Sequence, residues 1–151
     1  MSAYWEERLR KHFDLTGAGC MVLGPAYNAR LYKARLEALE NGLRVVGWTF
    51  RGARILEAGC GTGFYTEYCL RQGVNAYVGV DITSVSVETL RRLYPAFHFV
   101  QADITSSEVL KAGTEFDIVL AAHVLFHIVD DAAFEWAVRN LLFLNSSQNP
   151  G

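Results

Sequence analysis

The sequence is poor in cysteine and has no excess of charge of one sign. Its three cysteines, Cys20, Cys60 and Cys69, are odd in number and include no Cys-x-x-Cys pair, which argues against a disulfide framework and a zinc site. The chain has 14 Lys and Arg residues against 16 Asp and Glu residues, a net charge of −2. Because such a balance offers phosphates no bulk attraction, we expect no nucleic acid partner.

Long apolar runs are also missing. The longest, Ile118 to Ala122, ends at His123, far short of the roughly 20 residues that span a bilayer. The charged residues Glu6 to Arg8 come too early for a secretory signal. With 51% hydrophobic residues in 151 positions, a chain of this size can bury about 70% of its unfolded surface. We therefore expect a folded, cytoplasmic protein without a membrane partner.

Two regions differ in pattern, and their boundary falls at residue 53. Residues 1–52 predict a helical extension, because leucine and alanine recur at helical spacing between Leu31 and Leu43. Asn41-Gly42 predicts the end of that helix, since both residues tolerate a positive φ. The segment 24–28, which contains Gly24-Pro25, is interpreted as a loop.

Residues 53–151 predict an α/β domain. Short apolar runs predict strands at 54–56, 76–80, 97–100 and 116–121, and the segments between and after them predict helices at 65–70, 85–94, 107–111 and 131–142. Unbroken apolar strands that alternate with helices are typical of a parallel sheet covered on both faces. The predicted fold is a Rossmann-like, doubly wound parallel sheet.

The most informative segment is the turn Gly59-Cys60-Gly61-Thr62-Gly63, between a predicted strand and a helix. Its glycines permit a sharp turn and a close approach to a ligand, and the N–H groups of the next helix point into it. The third glycine is at 63 instead of 64, which departs from the dinucleotide fingerprint. Glu57 would also repel a pyrophosphate. A nicotinamide-dependent oxidoreductase is therefore disfavoured, and a ligand with a positive group is favoured.

Carboxylates also follow the second and third predicted strands. Asp81 can accept hydrogen bonds from ribose hydroxyls, or it can cap the next helix; the residues leave both interpretations open. Asp103 can accept from an exocyclic amine such as that of adenine, while Ile82 and Ile104 offer apolar surface to a base. One carboxylate after each of three strands favours a nucleoside site over capping alone.

These segments together resemble the class I S-adenosylmethionine-dependent methyltransferases, over about residues 53–143. Residues 55–63 resemble the family's first motif, Val80-Asp81 its ribose acid, 101–103 its adenine segment and 116–128 its fourth-strand motif. The resemblance implies S-adenosylmethionine as cofactor and a small-molecule methyl acceptor. It implies these cofactor-binding residues: Glu57, Gly59, Cys60, Gly61, Gly63, Asp81, Ile82, Asp103 and Ile104.

Two histidines follow the fourth predicted strand, at the sheet edge where such folds bind ligands. His123 is the candidate catalytic residue, a general base on the substrate side, although a histidine at an apolar strand end is more often structural. His127 matches a family position near the cofactor and is assigned a structural role. Since no third ligand has suitable spacing, we expect no metal.

Aromatic residues of the extension can form a lid over the cofactor's sulfonium, because aromatic faces attract cations. The favoured alternative is that they dock the extension onto the core. Tyr27, in the predicted loop, is the lid candidate and is included among the cofactor-binding residues. The other aromatic residues of the extension to which these two interpretations apply are Tyr4, Trp5, Phe13 and Tyr32. A solvated basic face is predicted for Arg8, Arg10, Lys11, Lys33 and Arg35.

The family's domain continues into a fifth strand and a terminal hairpin, whereas here Pro150-Gly151 resembles only the turn before that strand. We therefore expect a truncated sheet in the order 3-2-1-4, with the fourth strand at an open edge through which a homodimer can form. Two alternatives stay open: a half-domain completed by a partner, and a non-catalytic binding or assembly module derived from a methyltransferase.

Overall fold

The computed structural model describes residues 2–113 and 115–145. Helices α1 (Ser2–Lys11), α2 (Leu15–Ala18) and α3 (Gly24–Val46) come first. They are followed by β1 (Arg54–Ala58), α4 (Phe64–Gln72), β2 (Ala76–Asp81), α5 (Ser84–Leu93), β3 (His98–Gln101), β4 (Ile118–Leu120) and α6 (Asp131–Leu144). Short 3-10 helices, Ser107–Ala112 and Leu125–His127, precede and follow β4.

The four strands form one parallel sheet in the order β3-β2-β1-β4. Ile55 of β1 is paired with Tyr77 of β2 on one side and with Ile118 of β4 on the other. This arrangement confirms the predicted fold class and strand order. Because the strands are parallel, their carboxyl ends lie at one edge, where the glycine turn and the carboxylates after β2 and β3 meet.

Each face of the sheet has its own core. Successive strand residues point to opposite faces, so Ile55 packs in the cluster with Tyr68 of α4 and Leu90 of α5. Leu56 packs on the other side, in the cluster with Leu141 of α6. Both Ile55 and Leu56 are fully buried, which explains why the strands read as unbroken apolar runs.

Helix α3 contradicts two predictions for the extension. It begins at Gly24, with Pro25 in its first turn, so the predicted loop at 24–28 is wrong. It also passes through Asn41-Gly42 and ends at Val46, followed by the cap residue Gly47, which has φ 70°. The reason is packing: Leu43 lies against the core, and this contact continues the helix past residues that permit an end without requiring one. The division at residue 53 stays a prediction.

Strand β4 is shorter than the predicted 116–121. Phe116 instead forms an isolated parallel bridge with Asn145, and its N–H donates to the Leu144 carbonyl at 3.0 Å. Asn145, the residue after α6, therefore pairs with the chain just before β4. Association of two chains through the edge of β4 stays a prediction.

Two further expectations concern the end of the chain and a membrane partner. The turn predicted at Pro150-Gly151 lies outside the described residues. Within those that are described, no helix has the length and apolar character to cross a membrane.

Candidate functional site

A cavity of about 360 Å³ opens at the carboxyl ends of β1, β2 and β3, a volume in the range of small-molecule sites. Its wall brings together most of the predicted site residues: Glu57, Gly59, Cys60, Gly61, Asp81, Ile82, Asp103, Ile104 and His123. Tyr27 and Gly63 do not line it.

The glycine turn is tied to the neighbouring strand by its backbone. The N–H groups of Gly59 and Cys60 both donate to the Val80 carbonyl, at 2.7 and 3.0 Å. Gly59 has φ 75°, and a Cβ there would lie 2.9 Å from the side chain of Val124. Gly63, with φ 85°, precedes α4, and its Cβ would lie 2.6 Å from Cδ2 of Leu90. Gly63 therefore serves the turn and the core, while Gly59 and Gly61 face the cavity.

Asp81 fastens the turn to the end of β2. Its Oδ2 accepts a hydrogen bond from Gly61 N–H at 2.8 Å, and its Oδ1 accepts from the N–H and hydroxyl of Thr83 at 2.9 and 2.7 Å. Desolvation raises its pKa, while these hydrogen bonds oppose the rise. A carboxylate has about four acceptor sites, so about one is left for a ligand. Asp81 holds the local backbone and faces the cavity, but it does not cap α5, whose N-cap residue is Thr83. Its contact with a ribose stays a prediction.

Asp103 repeats this arrangement after β3. Its Oδ1 accepts from the N–H and hydroxyl of Thr105, both at 2.8 Å, and its Oδ2 accepts no hydrogen bond within the described part of the chain. The sequence signal is the tripeptide Asp-Ile-Thr, which occurs at 81–83 and again at 103–105. It predicts the two threonine contacts, which the interpretation of the two acids as ligand-binding groups does not include.

Glu57 is the buried acid of the cavity, 2% exposed. Its Oε2 accepts a hydrogen bond from the Tyr77 hydroxyl and lies 3.4 Å from the Thr66 hydroxyl. Its Oε1 has no donor among the described residues. Desolvation raises the pKa of Glu57 to about 8, against the opposing effect of these hydrogen bonds. A buried carboxyl that lines a cavity and has a free oxygen is suited to a cationic ligand group.

Cys60 and the two histidines complete this part of the wall. Burial raises the pKa of the Cys60 thiol well above its usual range, so it is not a reactive thiolate. His123 and His127 both line the cavity, and His123 has φ 62°. Desolvation lowers the pKa of each imidazole, and a nearby arginine adds to the effect: Arg35 for His123 and Arg8 for His127.

The extension contributes aromatic residues to the cavity wall, but the predicted lid residue, Tyr27, is not one of them. Tyr27 is 43% exposed on the first turn of α3, whereas Trp5 and Tyr32 line the cavity. Trp5 meets the ring of His127 edge-on at 4.9 Å. Tyr27 was favoured because segment 24–28 was interpreted as a loop. Once that segment is a helix, its first turn lies away from the cavity and the later position 32 faces inward.

Glu6 fixes α1 to the N-terminus of α5. Its carboxylate accepts from the N–H and hydroxyl of Ser84, at 2.7 and 2.8 Å, at the first residue of α5. The residue that caps α5 is Thr83. Its hydroxyl donates to Asp81 and lies 2.8 Å from the hydroxyl of Ser86. A carboxylate at a helix N-terminus is stabilised by the free N–H groups and the helix dipole.

The basic residues of the extension do not form one solvated face. Arg10, Lys11 and Lys33 are exposed, as predicted, but Arg8 and Arg35 are half-buried. Each of these two has its guanidinium 4.9 Å from the centre of a cavity-lining ring, Arg8 at Trp5 and Arg35 at Tyr32. The described residues contain no group of three or more His, Cys, Asp or Glu side chains that could hold a metal ion.

The fold and the site define a class of protein: a Rossmann-like α/β protein with a carboxylate-lined cavity at the carboxyl edge of its sheet. Residues 55–143, more than half of the chain, match the model of the family described as methyltransferase domain. The chain belongs to this family.

Relatives and solved structures agree with this assignment. The ubiquinone biosynthesis O-methyltransferase of Cereibacter sphaeroides (strain ATCC 17025 / ATH 2.4.3) is 33% identical over 95 residues, which are 62% of this chain and 38% of that protein. The chain therefore spans about two fifths of the length of such relatives. The same fold occurs in magnesium protoporphyrin IX methyltransferase from Synechocystis PCC 6803 with bound SAM, with a TM-score of 0.67, 19% identity and coverage of 96% and 70% of the two chains. The N-methyltransferase NodS from Bradyrhizobium japonicum WM9, in complex with S-adenosyl-L-homocysteine, has a TM-score of 0.65, 15% identity and coverage of 94% and 68%.

Proposed function

We propose that this chain binds S-adenosylmethionine and is the cofactor-binding part of a methyltransferase that acts on a small molecule. The observation that carries the proposal is that the carboxylates at the ends of three adjacent strands, Glu57, Asp81 and Asp103, all line one cavity. Each has acceptor capacity that the described residues leave unused. Membership of the methyltransferase domain family supports the choice of cofactor.

The residues fit the parts of this cofactor by their chemistry. Glu57 offers a buried carboxylate oxygen to the amino group. Asp81 offers one acceptor to the ribose, and Asp103 offers its free oxygen to the adenine amine. Ile82 and Ile104 provide apolar contact to the base, and Gly59 and Gly61 permit the close approach of the backbone.

The bound cofactor supplies an electrophilic methyl group on a sulfonium. The task of the protein is then to hold the acceptor in line with it, and such positioning can contribute about 7–11 kcal/mol. On this side the cavity wall includes the aromatic rings of Trp5 and Tyr32. The acceptor is proposed to be small because the cavity has a volume of about 360 Å³, and because the relatives named above are O- and N-methyltransferases and a porphyrin methyltransferase.

His123 is proposed to accept the proton of a hydroxyl acceptor. It lines the cavity, and its lowered pKa leaves the imidazole neutral, in the form of a base, at neutral pH. Following the His123 imidazole by NMR titration should give a midpoint below that of an exposed histidine. The reference is the ordinary histidine pKa of 6.5, which an unburied histidine in a short peptide provides. A His123 midpoint at or above that of the peptide would contradict this role.

The cofactor assignment is tested by calorimetric titration of S-adenosylhomocysteine into the wild type and Asp81→Asn. The substitution removes a charged acceptor, and a hydrogen bond to a charged group contributes about 1.5–3 kcal/mol. We therefore expect the affinity to fall about 10- to 100-fold. Asp117→Asn is the matched control, since Asp117 pairs with Arg54 at 3.2 Å away from the cavity, and it should bind as the wild type does. An Asp81→Asn variant that is folded and binds equally well would refute the site.

A further inference from the structure

Tyr77 of β2 is a core residue whose hydroxyl reaches the buried acid of the cavity. Its side chain is 1% exposed, and its ring stacks on that of Phe97 with the centroids 4.7 Å apart. A buried tyrosine hydroxyl requires a hydrogen-bond partner, and this one donates to Oε2 of Glu57. Tyr77 itself lies behind the cavity wall, so any effect of this residue on a ligand passes through Glu57.

Gly79 makes this contact possible. Glu57 of β1 is paired with Gly79 of β2, so both point to the same face of the sheet, as does Tyr77, two residues before Gly79. A Cβ at Gly79 would lie 3.1 Å from the Tyr77 hydroxyl and 2.7 Å from Cδ1 of Phe99. A glycine inside a strand often marks a close approach by another group. Here it lets the phenol extend along β2 to the carboxyl group of the neighbouring strand.

Thr66 of α4 sets the direction of the hydrogen bonds. Its hydroxyl lies 2.8 Å from that of Tyr77, and both side chains are buried. A hydroxyl has only one proton to donate. When Tyr77 donates its proton to ionised Glu57, the Tyr77 oxygen is left as an acceptor and Thr66 donates to it. Both donors are then aligned toward the carboxylate, and hydrogen bonds to the ionised form favour that form.

The other ionisable groups around Glu57 do not stabilise its charge. Burial raises the pKa of Glu57 most, and the charge of Asp81 raises it further, while the hydrogen bonds from Tyr77 and Thr66 lower it. Four more groups have a pKa that is raised by burial and also by the charge of Glu57, so they are neutral at pH 7: Tyr32, Cys60, Tyr65 and Cys69. The two hydroxyls are therefore the groups that favour an ionised Glu57.

We propose that Tyr77 is a positioning residue of this site: its hydroxyl, held over Gly79, engages Oε2 of Glu57 so that Oε1 faces the cavity in the ionised form. This role rests on the proposed function, in which Glu57 binds the amino group of the cofactor. Removing only the hydroxyl should change how ligand binding depends on pH. A loss of packing alone would weaken binding equally at every pH.

The experiment is a calorimetric titration of S-adenosylhomocysteine into the wild type, Tyr77→Phe and the control Tyr68→Phe between pH 6 and pH 8.5. Tyr68 belongs to the same core cluster, but its hydroxyl is bonded to Glu40, and Tyr68 does not line the cavity. A hydrogen bond to a charged acceptor is stronger than one to a neutral acceptor, so its loss should move the ionisation of Glu57 upward by about one pH unit.

The affinity of Tyr77→Phe should then be about tenfold below that of the wild type at pH 6 to 7, and only about threefold below it at pH 8.5, where Glu57 of the wild type is already largely ionised. Tyr68→Phe should bind as the wild type does throughout. In the Glu57→Gln background, Tyr77→Phe should cause no pH-dependent loss. An equal loss at pH 6 and pH 8.5, or no loss at either, would overturn the proposal.

Denaturant unfolding of the ligand-free proteins tests the same role without the cofactor. A native carboxyl that keeps its proton to a higher pH loses stability over a wider range. The free energy of unfolding of Tyr77→Phe should therefore keep falling to about pH 9, and its difference from the wild type should widen above about pH 7. The thiols of Cys60 and Cys69 are present in both proteins and cancel in this difference. A wild type that binds no S-adenosylhomocysteine would refute the proposed function, whereas a constant difference in stability would overturn the role of Tyr77.

Discussion

Binding of S-adenosylhomocysteine to the wild type is expected to release a proton between about pH 5 and pH 8, and Glu57→Gln is expected to remove that release. In the ligand-free protein the pKa of Glu57 is raised to about 8 by burial, so the carboxyl is mostly protonated at pH 7. A bound amino group favours the ionised form and lowers this pKa. Affinity should therefore rise by up to about tenfold per pH unit over this window and level off above pH 8.

Calorimetry in two buffers of different ionisation enthalpy measures the proton directly. At pH 6 to 7 the wild type should release close to one proton on binding, and Glu57→Gln should release none and bind about 100-fold more weakly, since a charge-assisted hydrogen bond is lost. Proton release of the same size in both proteins would assign it to another group and contradict the role of Glu57.

Stability of the ligand-free protein should have the opposite pH dependence. The native carboxyl keeps its proton above the pH at which the unfolded chain, with an ordinary Glu pKa of 4.5, has lost it. The native state thus binds more protons, and the free energy of unfolding falls as pH rises from about 4.5 to 8, by at most about 1.4 kcal/mol per unit. Glu57→Gln lacks this slope, and its stability relative to the wild type should increase over the same range.

Contiguous segments are what the sequence could predict. The glycine turn and the acids at the ends of β2 and β3 follow from short patterns whose structure is set locally, and the structure brings them to one cavity. The strand order was instead implied by the resemblance to the methyltransferase family. Glu57, Asp81 and Asp103 are found together because parallel strands place their carboxyl ends at one edge.

Long-range contacts are what the sequence could not predict. The end of α3 depends on the packing of Leu43, and the anchoring of α1 depends on Glu6 and Ser84, which are 78 residues apart. The half-buried state of Arg35 depends on where α3 meets the cavity. None of these has a local signal: Asn41-Gly42 permits a helix end, and Arg35 has the same residue type as the exposed Arg30.

Alanine substitutions at three glycines separate the structural and ligand-facing roles within the turn. Gly63→Ala is expected to lower the free energy of unfolding by about 2–5 kcal/mol. A side chain at positive φ costs about 1–2 kcal/mol, and overpacking of the core costs about 1–3 kcal/mol. The second contribution arises because the new Cβ would lie 2.6 Å from Cδ2 of Leu90, which is fully buried and has little room to move. Denaturant unfolding measures this loss.

Gly73→Ala and Gly61→Ala provide the comparison. Gly73 has φ 69° with no atom within 4 Å of its Cβ position and lies outside the cavity, so it isolates the backbone cost of about 1–2 kcal/mol and should bind S-adenosylhomocysteine normally. Gly61, with φ 51° and its nearest neighbour at 3.9 Å, should lose no more stability than Gly73. Its methyl group enters the cavity, however, and should weaken binding at least tenfold. Gly61 and Gly63 are only two residues apart, so they share the same turn. Equal stability losses at both would mean that Leu90 moves to make room for the new side chain at residue 63. Unchanged binding by Gly61→Ala would remove Gly61 from the ligand site.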